Sequence, residues 1–259
     1  MHGLLLLFPI FYFVKRIFVA FGIVCSLLFY VIVFTAPAEA SNLVNHFVNG
    51  RTYLSYSPSN VVPSGSKVFI FMHGSGGTAE ESAANSGFNS LADVQGFVMV
   101  YPQGSGSSAD WNGGGCCGSA VTDQVDDVGF ISNVISEVKN AYSTDKVYVL
   151  GYSSGGIMAY RVGCELSSMV KGVGVQSGSL TLDSCENSNH VPLIHIHGNE
   201  DVIVPMAGGS GPDLYDFKSM SESLALFSAG GALVKPLIVD GADHSWRASS
   251  PETLVNFFD

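Results

Sequence analysis

Lys146-Val147-Tyr148-Val149-Leu150-Gly151-Tyr152-Ser153-Ser154-Gly155-Gly156 is the stretch that decides how this chain reads. A β-branched apolar run ends abruptly in Gly-x-Ser-x-Gly. Ile157, Met158, Ala159, Tyr160 and Val162 then follow in a helix-like pattern. Strand, sharp turn and helix in that order form a nucleophile elbow, which pushes a serine hydroxyl out of the top of a sheet. Gly151 and Gly155 keep Cβ atoms out of the space where strand and helix nearly touch. The plain alternative is a Gly-Ser loop without chemistry, since both residues are common. The flanking strand and helix favour a nucleophilic Ser153.

In a fold built on such an elbow, the acid and then the histidine follow the serine. Four histidines do so: His190, His195, His197 and His244. His195 and His197 lie in an apolar run that reads as a buried strand. His244 lies in the loop Asp240-Gly241-Ala242-Asp243-His244-Ser245-Trp246, directly after Leu237-Ile238-Val239. That is the place for a general base, so His244 is expected to take and return the Ser153 proton. The acid should follow the preceding strand, where Glu200 and Asp201 both qualify. Asp201 is favoured because Val202-Ile203-Val204-Pro205 can anchor its loop. Asp240 and Asp243 lie too near His244 in sequence and are expected to order its loop. His195 and His197 share a strand face and form a possible metal pair, but no neighbouring Cys or carboxylate cluster completes a shell. Neither a metal nor a cofactor is expected.

An ester or amide carbonyl attacked by Ser153 needs two N–H groups for its developing negative charge. One is expected from Ser154, the other from the loop after the strand Lys67–Met72. That loop reads His73-Gly74-Ser75-Gly76-Gly77-Thr78, and Ser75 is the expected donor. It matches no phosphate-binding glycine pattern.

Further strands are expected at about 97–101, 146–150, 170–176, 191–197 and 233–239, with a helix over 124–142. The continuous apolar runs indicate strands buried on both faces of a parallel sheet. Val44–Val48 and Thr52–Tyr56 flank Asn49-Gly50, a hairpin signal. The fold class is therefore α/β, a three-layer doubly wound, mostly parallel sheet with an N-terminal antiparallel hairpin. Asp123, Asp126 and Asp127 fall at a helix start, where carboxylates cap free N–H groups. The long loop from Pro102 to Val121 carries Trp111, expected either to stack on substrate or to anchor its own loop. Trp246 and Tyr152 are further candidates for the substrate-binding wall.

Several of these motifs occur together in one family. His73-Gly74, Trp111-Asn112 with Cys116-Cys117, Val125-Asp126-Asp127-Val128-Gly129-Phe130, the Gly151–Arg161 segment, His197-Gly198 with Asp201 and Pro205, and His244-Ser245-Trp246 are the residues concerned. In order and spacing they resemble the secreted polyhydroxybutyrate depolymerase and feruloyl esterase family of serine esterases, from about Val68 to the C-terminus. The resemblance implies an α/β-hydrolase fold with Ser153, Asp201 and His244 as triad. It implies substrates among esters of short 3-hydroxy acids, ferulate esters of cell-wall polysaccharide, or acetylated xylan. Fifteen residues follow His244, too few for an appended polymer-binding module, so a soluble or oligomeric ester is expected.

The chain has 259 residues, 47% of them hydrophobic, enough for one α/β domain over 41–259. Residues 1–40 read as a signal peptide: Lys15 and Arg16, an uncharged run from Ile17 to Phe34, then Ala36-Pro37-Ala38-Glu39-Ala40 as an Ala-x-Ala site. At 18 residues, the run 17–34 also meets the length of a retained membrane anchor. Setting aside Lys15, Arg16 and Glu39 leaves 9 basic and 21 acidic residues, net −12. That balance excludes a nucleic-acid-binding stripe and disfavours polyanionic substrates. Cys116, Cys117, Cys164 and Cys185 make an even set, compatible with two disulfides in an exported protein. A bridge between neighbours closes a tight eight-membered ring, so Cys116 and Cys117 are expected to reach Cys164 and Cys185, in either order. The expected function is a secreted serine carboxylesterase. Its rivals are a serine peptidase of the same fold and a catalytically silent binding protein.

Overall fold

Alternation within the apolar runs sorts their side chains onto two faces of one sheet. The computed structural model describes residues 42–59, 61 and 64–259. Residues 1–40, read above as a signal peptide or anchor, lie outside the described residues. The strands are β1 (Leu43–Val48), β2 (Arg51–Tyr56), β3 (Val68–Met72), β4 (Val98–Pro102), β5 (Val147–Tyr152), β6 (Gly172–Gln176) and β7 (Leu193–Gly198). A short antiparallel pair follows, β8 (Gly209–Ser210) with β9 (Asp216–Phe217), and then β10 (Val234–Val239). The helices are α1 (Ala79–Asn85), α2 (Phe88–Gln95), α3 (Gly118–Thr122), α4 (Asp127–Ala141), α5 (Ser154–Glu165), α6 (Met220–Ser228) and α7 (Ser250–Asn256).

Eight strands form the main sheet in the order β1-β2-β4-β3-β5-β6-β7-β10. All pairs from β4 to β10 are parallel, while β1 and β2 add the antiparallel edge. Val68, Ile70 and Met72 of β3, with Val147 and Val149 of β5, pack with α4, α5 and α6. Phe69, Phe71, Tyr148 and Leu150, one residue out of phase, pack with α1, α2 and α7. A helix layer on each face is why these strands are apolar at every position. Each fully buried aliphatic or aromatic side chain contributes roughly 1.5–3 kcal/mol by leaving water. The three-layer expectation therefore holds, and the hairpin turns at Asn49 and Gly50, both with positive φ, as its Asn-Gly signal requires. Among the described residues, no helix is long and apolar enough to cross a membrane.

The acidic cluster at the start of α4 divides its work. Asp126 caps the helix by accepting from the Gly129 N–H at 2.8 Å. Asp127 is fully buried and pairs with Arg51 at 2.5 Å. The same guanidinium lies 3.8 Å from the centre of the Phe130 ring and donates to the Gln103 carbonyl. This ties the edge hairpin to α4 and to the loop after β4. Removing one partner of such a buried pair strands a charge, at about 3–5 kcal/mol.

The cysteine pairing corrects the sequence expectation. Cys116 bonds Cys117, and Cys164 bonds Cys185. The peptide joining Cys116 and Cys117 is cis, with Cα atoms 3.1 Å apart, and neighbouring side chains meet across it. Cys164, in the last turn of α5, lies 5.1 Å from Cys185 in Cα separation, within normal disulfide reach. That bridge closes a span of 21 residues. Replacing both Cys164 and Cys185 by Ala should lower the unfolding free energy by about 3 kcal/mol in denaturant titrations, from loop-closure entropy. A loss under about 0.5 kcal/mol would show that the crosslink contributes little.

Candidate active site

Ser153 links β5 to α5 with φ 55° and ψ −123°, a conformation rare for a residue with a side chain. The turn is this tight because glycines flank it. A Cβ on Gly151 would overlap the Gly155 backbone, and one on Gly155 would overlap the Met72 and His73 carbonyls of β3 and the loop after it. The Ser153 N–H donates to the Gln176 carbonyl of β6 at 3.0 Å, so the adjoining strand also holds the elbow.

The structure brings Ser153, His244 and Asp201 together. Ser153 Oγ lies 2.8 Å from His244 Nε2, and His244 Nδ1 lies 2.7 Å from Asp201 Oδ2. Asp201 follows β7, and its Oδ1 accepts from the N–H groups of Ile203 and Val204 at 2.9 and 3.0 Å. Of the apolar residues beside it, Val204 is buried and shields the site, whereas Val202 is exposed. Burial alone would raise the Asp201 carboxyl. Hydrogen bonds from His197 and His244, with the Val204 N–H, outweigh burial and hold it well below the usual carboxylate range. Only the ionised form matches three converging donors and a His197 nitrogen 3.2 Å away.

His244 sits in the loop after β10, placed by its neighbours. The Tyr152 hydroxyl donates to the His244 carbonyl at 2.5 Å, and the Gln176 amide donates to the Ser245 carbonyl at 3.0 Å. Gly198 lets the loop cross the end of β7, where a Cβ would strike the Ala242 carbonyl. Asp240 accepts from Asn199, and Asp243 caps the Ser245 N–H. Both acids order this loop, and Glu200 is exposed.

Ser154 opens α5, where the first N–H groups of a helix have no partner within it. Ser75 lies in the loop after β3, across the same cavity. The Ser75 hydroxyl donates to Asp110 Oδ1. The Gly76 N–H donates to the Ser108 carbonyl at 2.8 Å. His73 is buried beneath: its Nε2 accepts from the Gly104 N–H at 3.0 Å, which leaves Nδ1–H to donate to the Gly74 carbonyl. Burial lowers the His73 pKa and keeps this ring neutral. The loop after β4 thus braces the loop after β3 from behind.

Two depressions meet at Ser75. A cavity of about 390 Å³ is lined by Ser153, Ser154, Ser75, Asp110, the Cys116–Cys117 disulfide, Ile157, Val204 and Tyr215. A shallower groove of about 240 Å³ is lined by Gly74, Ser75, Thr78, Glu81, Tyr152 and Trp246. Trp246 and Tyr152 reach this surface, and their ring centres are 5.7 Å apart. Trp111 does not. It is fully buried, its indole N–H donates to the His73 carbonyl at 2.9 Å, and its ring packs on His73. The substrate-wall expectation for Trp111 is therefore corrected to the loop-anchor alternative. Sequence reasoning missed Asp110 and the vicinal disulfide as cavity walls. Asp110 stands directly before Trp111 in the loop already suspected of covering the sheet, which was the available signal.

A mostly parallel sheet with a serine at its strand-to-helix elbow defines an α/β-hydrolase. Residues 61–220 match the Phospholipase/Carboxylesterase family of these hydrolases, and the chain belongs to it. It is 29% identical over 157 residues to a bifunctional acetylxylan esterase/xylanase of Neocallimastix patriciarum, covering 60% of this chain and 22% of that protein. It is 28% identical over 179 residues to feruloyl esterase C of Emericella nidulans, covering 65% of this chain and 61% of the relative. The chain thus spans between about a fifth and three fifths of these relatives' lengths. In fold it is similar to an acetyl xylan esterase from Aspergillus awamori, with a TM-score of 0.64 at 14% identity, covering 83% of this chain and 98% of that one.

The depressed Asp201 pKa makes a stability prediction. The stabilisation is complete above the ordinary carboxylate pKa of about 4 and is lost as pH falls towards the lower folded-state value. The difference in unfolding free energy between the wild type and Asp201→Asn should be widest near pH 7 and should narrow below about pH 4. Urea titrations at both ends measure it, and a constant difference would show that the carboxylate is not stabilised by its partners.

Proposed function

We propose that this protein is a serine carboxylesterase, exported from the cell, that hydrolyses esters of short hydroxy acids or acyl esters attached to polysaccharide. The observation that carries the reading is the unbroken contact from Ser153 Oγ through the His244 ring to a buried, ionised Asp201. In this reading His244 Nε2 accepts the Ser153 proton as Oγ attacks the ester carbonyl. Asp201 keeps the His244 proton on Nδ1 and stabilises the imidazolium. The N–H groups of Ser154 and Ser75 stabilise the oxyanion. His244 then protonates the departing alcohol and activates water, which releases the acid from Ser153 and regenerates the hydroxyl.

The two depressions divide the ester between them. The Tyr152 ring lies tilted beside His244, with ring centres 5.4 Å apart, and the leaving alcohol must lie on the side from which His244 protonates it. The groove of Tyr152 and Trp246 therefore takes the alcohol, and the cavity beside Cys116–Cys117 takes the acyl group. An open groove suits an alcohol that is part of a larger chain. The relatives named as acetylxylan and feruloyl esterases favour the same substrate class. Two disulfides fit an oxidising compartment. The export signal rests on residues 1–40, with a membrane anchor at 17–34 as the alternative.

The full chain and Ser153→Ala should be assayed on a nitrophenyl acetate, methyl ferulate, acetylated xylan, a 3-hydroxybutyrate oligomer and an amide matched to one ester. The expected result is ester hydrolysis that falls at least about a thousandfold in the variant, with little action on the amide. Equal rates in the two proteins on every ester would defeat the reading, and preference for the amide would make it a peptidase. Trp246→Ala should raise KM for a saccharide ester by about three- to tenfold and leave that for the methyl ester of the same acid within about twofold. Equal effects on both would remove Trp246 from the alcohol side.

A further inference from the structure

β7 carries two histidines, His195 and His197, at 0% and 1% exposure. Buried imidazoles are costly unless their nitrogens are satisfied, and here every one is. His197 Nε2 lies 2.8 Å from the Val204 carbonyl, which only accepts, so Nε2 carries the proton. His197 Nδ1 then accepts from His195 Nε2–H at 2.9 Å. His195 Nδ1 in turn accepts from the Tyr160 hydroxyl of α5 at 2.8 Å. Burial, with His197 adding to it, holds the His195 pKa well below its usual value, so the ring stays neutral. The proton positions all run one way, from α5 through β7 towards the turn that bears Asp201.

That turn is where the chain of bonds ends. His197 Nε2, whose single proton serves the Val204 carbonyl at 2.8 Å, also lies 3.2 Å from Asp201 Oδ2, the oxygen in contact with His244, so that one proton is shared between the two acceptors. Asp201 Oδ1 is held by the Ile203 and Val204 N–H groups. Without His197, the oxygen facing His244 would keep that histidine as its one side-chain donor.

We propose that His197 is a positioning residue for Asp201: its Nε2–H holds the oxygen that His244 uses, and His195 sets which His197 nitrogen bears that proton. The inference rests on the reading of Ser153, His244 and Asp201 as a catalytic triad. It gives the buried histidine pair of β7 a part in the reaction without contact with substrate.

Two substitutions in the full chain separate this role from simple packing. In His197→Gln the side-chain amide reaches roughly where Nε2 stands. In His197→Asn it stops near Nδ1, still able to accept from His195 but out of reach of Asp201. Rates on a nitrophenyl ester are read together with the far-downfield proton resonance of His244 Nδ1–H, which reports its bond to Asp201 with no need for turnover. The expected result is a kcat loss of about ten- to a hundredfold for His197→Asn, the range of one hydrogen bond to a charged group. KM should stay within about twofold, the resonance should shift, and His197→Gln should recover most of both. Equal kcat in the two variants with an unmoved resonance would overturn the proposal, as would loss of folding in both alike. A wild type inactive on every ester defeats the triad reading instead, and the resonance still decides whether His197 sets the Asp201–His244 contact.

Discussion

Where α5 begins against the end of β3, backbones approach too closely for a Cβ to stand between them. Gly155 sits against the Met72 and His73 carbonyls, and Gly151 sits against Gly155. No side chain fits between them. That contact fixes three things together: the positive φ of Ser153, the direction of the Ser154 N–H, and the distance to the loop that carries Ser75. Sheet, helix and loop are locked at the point where the proposed chemistry needs its smallest tolerances. Everything else in the site is brought to this point from strands further along the sheet.

The partners arrive by the logic of a parallel sheet, in which loops that follow the strands gather at one edge. β7 delivers Asp201 and β10 delivers His244, and their parallel pairing puts Val239 beside Gly198. Residues far apart in sequence therefore meet within hydrogen-bond distance. The loop after β4 acts from the other side. It contributes Trp111 as an anchor under His73 and Asp110 as the acceptor for Ser75, so a loop without regular structure is held near its middle by two adjacent residues.

Most of this was legible in order and period. The continuous apolar runs gave the strands and their burial on both faces; which helices cover which face came from the fold. Gly151-x-Ser153-x-Gly155, Asp201 and His244 could be placed because each stands just after a strand. Two readings failed for a physical reason. Trp111 is an aromatic in a glycine-rich loop, and sequence cannot say whether such a ring faces solvent or core; its N–H found a backbone carbonyl inside. The Cys116–Cys117 bridge joins neighbours, a pairing that the count and spacing of the cysteines do not encode. The His195–His197 chain was equally hidden. Alternation put both rings on one face, yet only the fold supplies Tyr160 and Val204 at its two ends.

Ser75 stands at the meeting of the cavity and the groove, and this gives the site a divided architecture. The walls proposed to take the acid and the alcohol are lined by different residues apart from Ser75. Changes to one wall are free to accumulate without disturbing the other, and substitutions on opposite sides should combine nearly additively. A lineage built on such a plan can exchange its acids and its alcohols separately while the elbow stays as it is.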